Sequence, residues 1–326
     1  MFHPLEDRCL RAATPVTLTG TAGPDRVSLA FKNHVLSVNF NGVVTKYDDR
    51  KVSRLTFNLL GGNDQFMAAY DSGADRMTLP LMIDAGPGND YVLSGGGNDT
   101  LRGGTGNDYL MDGRGDDVLH GDAGNDIIFT IFGNDTLYGD SGDDIVEVVT
   151  IIDSFQNPDG TWGNITPTVR DVLYGGTGND SLNSFMPNTR LFGEAGNDVI
   201  GCTTNSVMNG GDGDDRLTAY GYATLFGGNG NDKLVGSRYR DSLVGGAGND
   251  DIWGKEGNDI LWGGDGHDTL TGGLGRDELH GSGGRDLLVA NGDGAIDLID
   301  GGTDEDTARH DHAGKVIDAL TSIERR

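Results

Sequence analysis

The chain has little of what usually holds a domain together. It carries two cysteines, Cys9 and Cys202, in 326 residues. Cys9 falls in an N-terminal tail and Cys202 in a turn, so no disulfide framework is expected. That does not exclude an extracellular site, because a bound metal can staple a thin core as bridges do. Hydrophobic residues make up 35% and aromatics 7%, and so low an apolar content with high charge does not drive collapse unaided. No stretch approaches the ~20 apolar residues of a membrane-spanning helix. The N-terminus, MFHPLEDRCLRAAT, has no apolar h-region and is not a standard signal peptide. Basic residues are few, 24 Lys and Arg against 51 Asp and Glu, a net charge of −27. Such an excess repels nucleic acid and anionic membrane surfaces and suits a cation as partner. Proline is scarce beside 56 glycines, and the glycines do not follow the three-residue period of collagen.

What is present is a period of nine. Asp90, Asp99, Asp108, Asp117, Asp126, Asp135 and Asp144 form one series; Asp232, Asp241, Asp250, Asp259, Asp268, Asp277 and Asp286 form another. Two residues after each Asp comes an aliphatic, from Val92 and Leu101 to Val146, and from Leu234 and Leu243 to Leu288. Two residues before most of them stands a glycine, such as Gly88, Gly106, Gly124, Gly248 or Gly266. A fixed period is read before any single motif.

A nonamer of six turn residues and three strand residues explains the pattern. Two nonamers make an 18-residue coil of turn, strand, turn, strand. The middle residue of each strand points inward and its neighbours outward, because strands alternate sides. Stacked coils then bury one aliphatic per strand between two parallel sheets. Each contributes only ~1.5–3 kcal/mol, while ordering the backbone costs roughly 1–2 kcal/mol per residue. Something else must hold the turns. Asp90, Asp108, Asp126 and Asp144 would stack along one edge, and Asp99, Asp117 and Asp135 along the other. Stacked carboxylates repel unless a cation lies between them. Glycine lets the turn aim its carbonyl oxygens inward. Carboxylate and carbonyl oxygens together suit a hard cation of six to eight oxygens, Ca²⁺ rather than Zn²⁺, and Mg²⁺ fits poorly because it keeps its waters. The spacing implies on the order of ten ions, each between two turns one coil apart.

The expected organisation is all-β: a parallel β-roll, that is, a right-handed β-helix of 18-residue coils. Residues 1–14 read as a tail or targeting segment. Residues 15–83 carry strand signals, with Asn41-Gly42 as a hairpin turn and loose glycine–Asp copies at Asp25, Asp64 and Asp75. They read as an N-terminal β cap with degenerate repeats, the alternative being a separate small β-domain. Residues 84–147 are the first regular block. Residues 148–170, with the turn NPDG, read as an inserted β-hairpin. The register resumes at Asp171 and Asp180, and 171–289 form the second block. Within it Asp180, Asp198, Asp215 and Asp232 keep one edge, while NSFMPNT, CTTNSV and AYGYAT lack the glycine–Asp pattern on the other. Residues 290–326 are a C-terminal cap or tail.

GGTGNDYLM (103–111), GGTGNDSLN (175–183), GGAGNDDIW (245–253) and GGDGHDTLT (263–271) resemble the hemolysin-type, or RTX, calcium-binding nonapeptide GGxGxDxUx. The resemblance covers roughly 84–147 and 171–289. It implies a β-roll, Ca²⁺ between successive turns, and export unfolded with folding outside the cell. By it the ligands are the side chains of the Asp residues of the two nine-residue series, together with Asp171, Asp180, Asp198 and Asp215. Backbone carbonyls of glycines such as Gly103, Gly106, Gly245, Gly248, Gly263 and Gly266 complete the set. TIFGNDTLY (130–138) and GSRYRDSLV (236–244) depart from the pattern at Asp135 and Asp241. The segment PLEDRCLRAAT is similar to the LEPR-XLL motif at the start of many exported planctomycete proteins.

No catalytic constellation is found. GDSG (139–142) resembles a serine-protease nucleophile segment, but Ser141 lies in register inside a repeat with no partner set up around it. The G-x-G runs open no helix and precede no P-loop lysine. His310, Asp311 and His312 lack a third spaced ligand. In the first block the outward positions of one sheet, Tyr91, Leu93, Tyr109, Met111, Ile127 and Phe129, form an apolar stripe of the kind soluble proteins rarely leave bare. It is expected to be covered by the hairpin, the N-terminal cap or a second chain, or to meet a protein or polysaccharide. The expected function is therefore a secreted or cell-surface calcium-binding protein with a structural, adhesion or matrix role. The alternatives are an accessory module of an exported hydrolase or polysaccharide-modifying enzyme, and a polysaccharide-binding protein.

Overall fold

The computed structural model describes residues 13–68, 78–149, 154–156, 162–164, 170–290, 295–309 and 319–321. The strands make a parallel β-solenoid in which the chain alternates between two facing sheets, one of 15 strands and one of 16. The register advances 18 residues per coil: Leu101 pairs with Leu119 and Leu119 with Leu137 in the first sheet. In the second, Leu110 lies between Val92 and Ile128.

The core is one column of aliphatics per sheet. Leu101, Leu119 and Leu137 from one sheet and Val92, Leu110, Ile128 and Val146 from the other are all 0% exposed. The second block repeats this from Leu234 to Leu288. Their flanking residues are not buried, as strand alternation requires.

Strand lengths differ from the three residues expected. The 15-stranded sheet uses six, as in Thr100–Thr105 and Val118–Ala123. The other sheet uses three or four in the first block, as in Tyr109–Met111 and Ile127–Thr130. The cause is that turn amides also bond from coil to coil. Gly106 N–H donates to the Ala123 carbonyl at 2.7 Å and Gly124 N–H to that of Ser141 at 2.8 Å.

Strands Thr14–Thr21, Val52–Leu60 and Leu81–Pro87 lead into the first sheet; Arg26–Lys32 and Gln65–Ala68 lead into the second. These N-terminal strands thus belong to the same two sheets. Val35–Phe40 and Val43–Asp48 add an antiparallel extension. Its turns are left-handed pairs, Asn33 and His34 at φ 51 and 63, Asn41 and Gly42 at φ 49 and 85, as two-residue hairpins demand. Phe57 and Phe66 meet edge to face at 4.7 Å and fill the core here.

Between Asp144 and Asp180 the chain makes one coil plus an excursion. Thr136–Ser141 pairs directly with Val172–Thr177, and Ile145–Val148 with Ser181–Ser184. The excursion contains the antiparallel pair Ser154–Gln156 and Trp162–Asn164. Cys202 is buried in the core. Cys9, Asp75, His310, Asp311 and His312 lie outside the described residues.

Candidate metal centre

Each edge of the solenoid carries a column of buried Asp side chains. Along one edge the backbone N–H of each Asp donates to Oδ1 of the Asp one coil further on. The links Asp90 to Asp108, Asp108 to Asp126, Asp126 to Asp144 and Asp144 to Asp180 are all 2.7 Å. The column continues through Asp198, Asp215, Asp232, Asp250, Asp268 and Asp286 at 2.8–2.9 Å. It also runs past both ends of the expected series, to Asp64 and Asp25 on one side and Asp306 on the other. The second edge links Asp99, Asp117, Asp135 and Asp171, then Asp241, Asp259, Asp277 and Asp297. One oxygen of each carboxylate is therefore anchored by the backbone.

The other oxygen is where a cation would act. Oδ2 of Asp90, Asp108, Asp117, Asp126, Asp144, Asp180, Asp198, Asp215, Asp232, Asp250, Asp259, Asp268 and Asp286 is buried with no hydrogen-bond partner. A buried unpaired carboxylate oxygen is costly. Desolvation accordingly pushes Asp90, Asp126, Asp171, Asp180, Asp215 and Asp250 up to about 7. It takes Asp117 and Asp259 to about 8, and Asp99, Asp108, Asp135, Asp144, Asp198 and Asp232 to about 6. Asp241, Asp268 and Asp286 are also raised.

Glycine shapes the space around that oxygen. A Cβ on Gly103 would collide with Asp108 Oδ2 and the Gly121 carbonyl oxygen; one on Gly245 would meet Asp250 Oδ2 and the Gly263 oxygen. Gly263 stands in the same relation to Asp268 and Gly281. The later turn glycines Gly106, Gly248 and Gly266 adopt φ of 128–146°, and a Cβ there would strike the carbonyls of Gly88, Gly230 and Gly248. Carboxylate and carbonyl oxygens from successive coils thus crowd around these glycines, where a side chain would come between them. With oxygen donors alone, the residues fit Ca²⁺.

The edges are unequal. In the irregular segment the second edge has Thr189, Ser206 and Ala223 at the Asp positions, all buried. There Ser184 and Thr189 hydroxyls pair at 2.8 Å, and Thr189 N–H donates to Ser206 Oγ at 3.3 Å. Neutral side chains replace the carboxylates, while Asp198, Asp215 and Asp232 persist opposite.

Two of the sequence-derived positions have their second oxygen satisfied by protein. Thr130 Oγ1 donates to Asp135 Oδ2. Ser237 donates both its N–H, at 2.6 Å, and its hydroxyl, at 2.8 Å, to Asp241 Oδ2. In each case a hydroxyl residue departs from the glycine pattern just ahead of the Asp. Asp297 and Asp306 escaped the sequence reading because they follow their partners by 20 residues rather than 18. Their signal was the residue two places on, Ile299 and Ala308. Asp112 also escaped it, for it stands where a repeat has its first glycine.

The other motifs resolve into structure. Ser141 Oγ donates to the Asp122 carbonyl at 3.0 Å within the coil-to-coil turn. His120, Asp122 and Asp140 cluster on the outer face, but His120 pairs with Asp140 at 2.9 Å and Arg102 with Asp122 at 2.7 Å. On the apolar stripe, Tyr91 stacks on Tyr109 at 4.8 Å, and Tyr109 packs on Phe129 at 5.6 Å. The rings cover one another, leaving all but Tyr91 half-buried. Trp253 and Trp262 are exposed on opposite sheets.

Among the described residues no helix is long and apolar enough to cross a membrane. The profile of the RTX calcium-binding nonapeptide repeat matches residues 82–101, 102–130, 132–147, 170–184, 203–221, 226–261, 253–288 and 262–296. No curated protein matches the chain. With the repeat profile matched over more than half of its length and its turn Asp residues stacked in two columns, the chain belongs to the RTX calcium-binding nonapeptide repeat family.

Proposed function

We propose that this is an exported, non-enzymatic protein whose repeats bind Ca²⁺ between stacked turns, so that calcium drives folding. The observation behind this reading is the run of buried Asp Oδ2 atoms with no partner. The aliphatic columns alone do not offset the cost of ordering so much turn. An ion held only by the folded state shifts the equilibrium by mass action. Extracellular modules work at ~10⁻⁴–10⁻³ M calcium, so a chain of this kind would stay unfolded inside a cell and fold outside it. Repeats that occupy most of the chain favour a structural, matrix or adhesion role on the cell surface or beyond.

Limited proteolysis tests the reading. Digestion in chelator should cut throughout residues 84–289, and saturating Ca²⁺ should protect that region while Mg²⁺ does not. Equal resistance in chelator and in Ca²⁺ would contradict the coupling. Hydrolysis of a polysaccharide or peptide by the calcium-loaded protein would overturn the non-enzymatic part.

A further inference from the structure

In an ordinary repeat the first glycine leaves the space beside the Asp open. Ser94, Asp112 and Thr130 occupy that position in three successive coils of the second edge. Asp112 is 3% exposed. Its Oδ1 accepts from Ile131 N–H at a long 3.3 Å, and its Oδ2 has no partner. The Thr130 side chain lies beside Asp112 as well, but its one hydroxyl hydrogen is donated to Asp135 Oδ2. One carboxylate oxygen each from Asp112, Asp117 and Asp135 lie within 4.8 Å of one another, all three residues buried.

We infer that Asp112 joins Asp117 and Asp135 in a three-carboxylate variant of the repeat calcium site, and that it takes up the first and tightest ion. The inference rests on the repeats binding calcium. In the ordinary site the carboxylates of two stacked Asp residues meet backbone carbonyls. Here a third carboxylate is aimed into the same space, so formal negative charge is added to the backbone dipoles. Three like charges this close, shut away from water, repel strongly in the absence of a counter-ion. Affinity of oxygen sites rises with the number of charged ligands. The donors are all hard oxygens, which selects Ca²⁺ over softer metals. The site lies in the middle of the first regular block, with Leu119 and Leu137 of the core next to it in the coil, so filling it would order coils on both sides.

The test is a calcium titration of the whole chain in competition with a chromophoric chelator, with far-UV circular dichroism followed alongside. Wild type should show one ion bound about tenfold or more tighter than the rest. Asp112→Asn keeps the shape and removes the charge; it should lose that tight step and retain the later uptake. Asp112→Gly restores the repeat and should convert the tight step into an ordinary one, which guards against an Asn variant that fails to fold. Superimposable titrations of wild type and both variants would overturn the inference and leave Asp112 as a buried neutral acid. No calcium uptake by wild type at all would overturn the repeat reading with it.

Discussion

A single Asp does two tasks with its two oxygens. Oδ1 accepts the backbone N–H of the preceding coil, as Asp126 does from Asp108 at 2.7 Å, and so sets the turn. Oδ2 stays bare and creates the demand for a cation. Glycine is the complementary residue, because at Gly263 any Cβ would strike Asp268 Oδ2 and the Gly281 carbonyl. Gly263→Ala should therefore destabilise the calcium-loaded protein by about 1–3 kcal/mol, the usual cost of forcing volume into a filled space. Urea unfolding in saturating Ca²⁺ measures it, and an unchanged midpoint would contradict the cradle. The columns of Asp were legible in the sequence because the period is strict. The bonding of Oδ1 was not, since it depends on which amide the stacked coil presents. Asp112 was hidden by the abundance of acid around it; its meaning lies in occupying a glycine position.

At the level of the element, coils are interchangeable units held by nearest neighbours. The excursion between Val148 and Arg170 shows this, because the coils before and after it pair directly. Removing eighteen residues within 149–169 would return Asp171 and Asp180 to the regular spacing. The shortened chain should fold with calcium as the full chain does, and circular dichroism would show it; loss of the β signal would mean that the excursion supports the roll. The aromatic residues of the apolar stripe stack on one another. Tyr109→Ser with Phe129→Ser removes the ring contacts at 4.8 and 5.6 Å. At about 0.5–1.5 kcal/mol per aromatic pair, the double variant should lower thermal stability of the calcium form; an unchanged melting temperature would contradict the stack. Strand existence and inward side chains were readable from the aliphatic two residues after each Asp. Strand length was not, because the longer strands run on through glycines whose backbone alone makes the bonds.

For the whole molecule the governing quantity is the charge of −27 and its arrangement in two buried columns. Desolvation raises these carboxylates from an unfolded value of ~3.9 to about 6–8 in the folded chain without metal, as for Asp108, Asp90 and Asp259. For groups raised on folding, the stabilisation is fully present below the unfolded value. It is lost as pH rises through the folded values. In chelator the chain should accordingly hold more β structure near pH 5 than at pH 8, while in limiting calcium acid should weaken binding, because protons compete for the same oxygens. Circular dichroism against pH, with and without chelator, checks both signs. The inequality of the two edges adds a second expectation: between Asp180 and Asp232 only one edge carries the column, so these coils should be the first to lose hydrogen-exchange protection when calcium is low.

The most direct measurement is far-UV circular dichroism of the full chain during a Ca²⁺ titration from chelator to ~10 mM, at neutral pH, with Mg²⁺ as control. The account predicts a coil spectrum in chelator and a cooperative transition to β structure with Ca²⁺ that Mg²⁺ does not produce. A chain already fully β in chelator at neutral pH would contradict it, and would mean that the aliphatic columns and the Oδ1 bonds hold the solenoid without a cation.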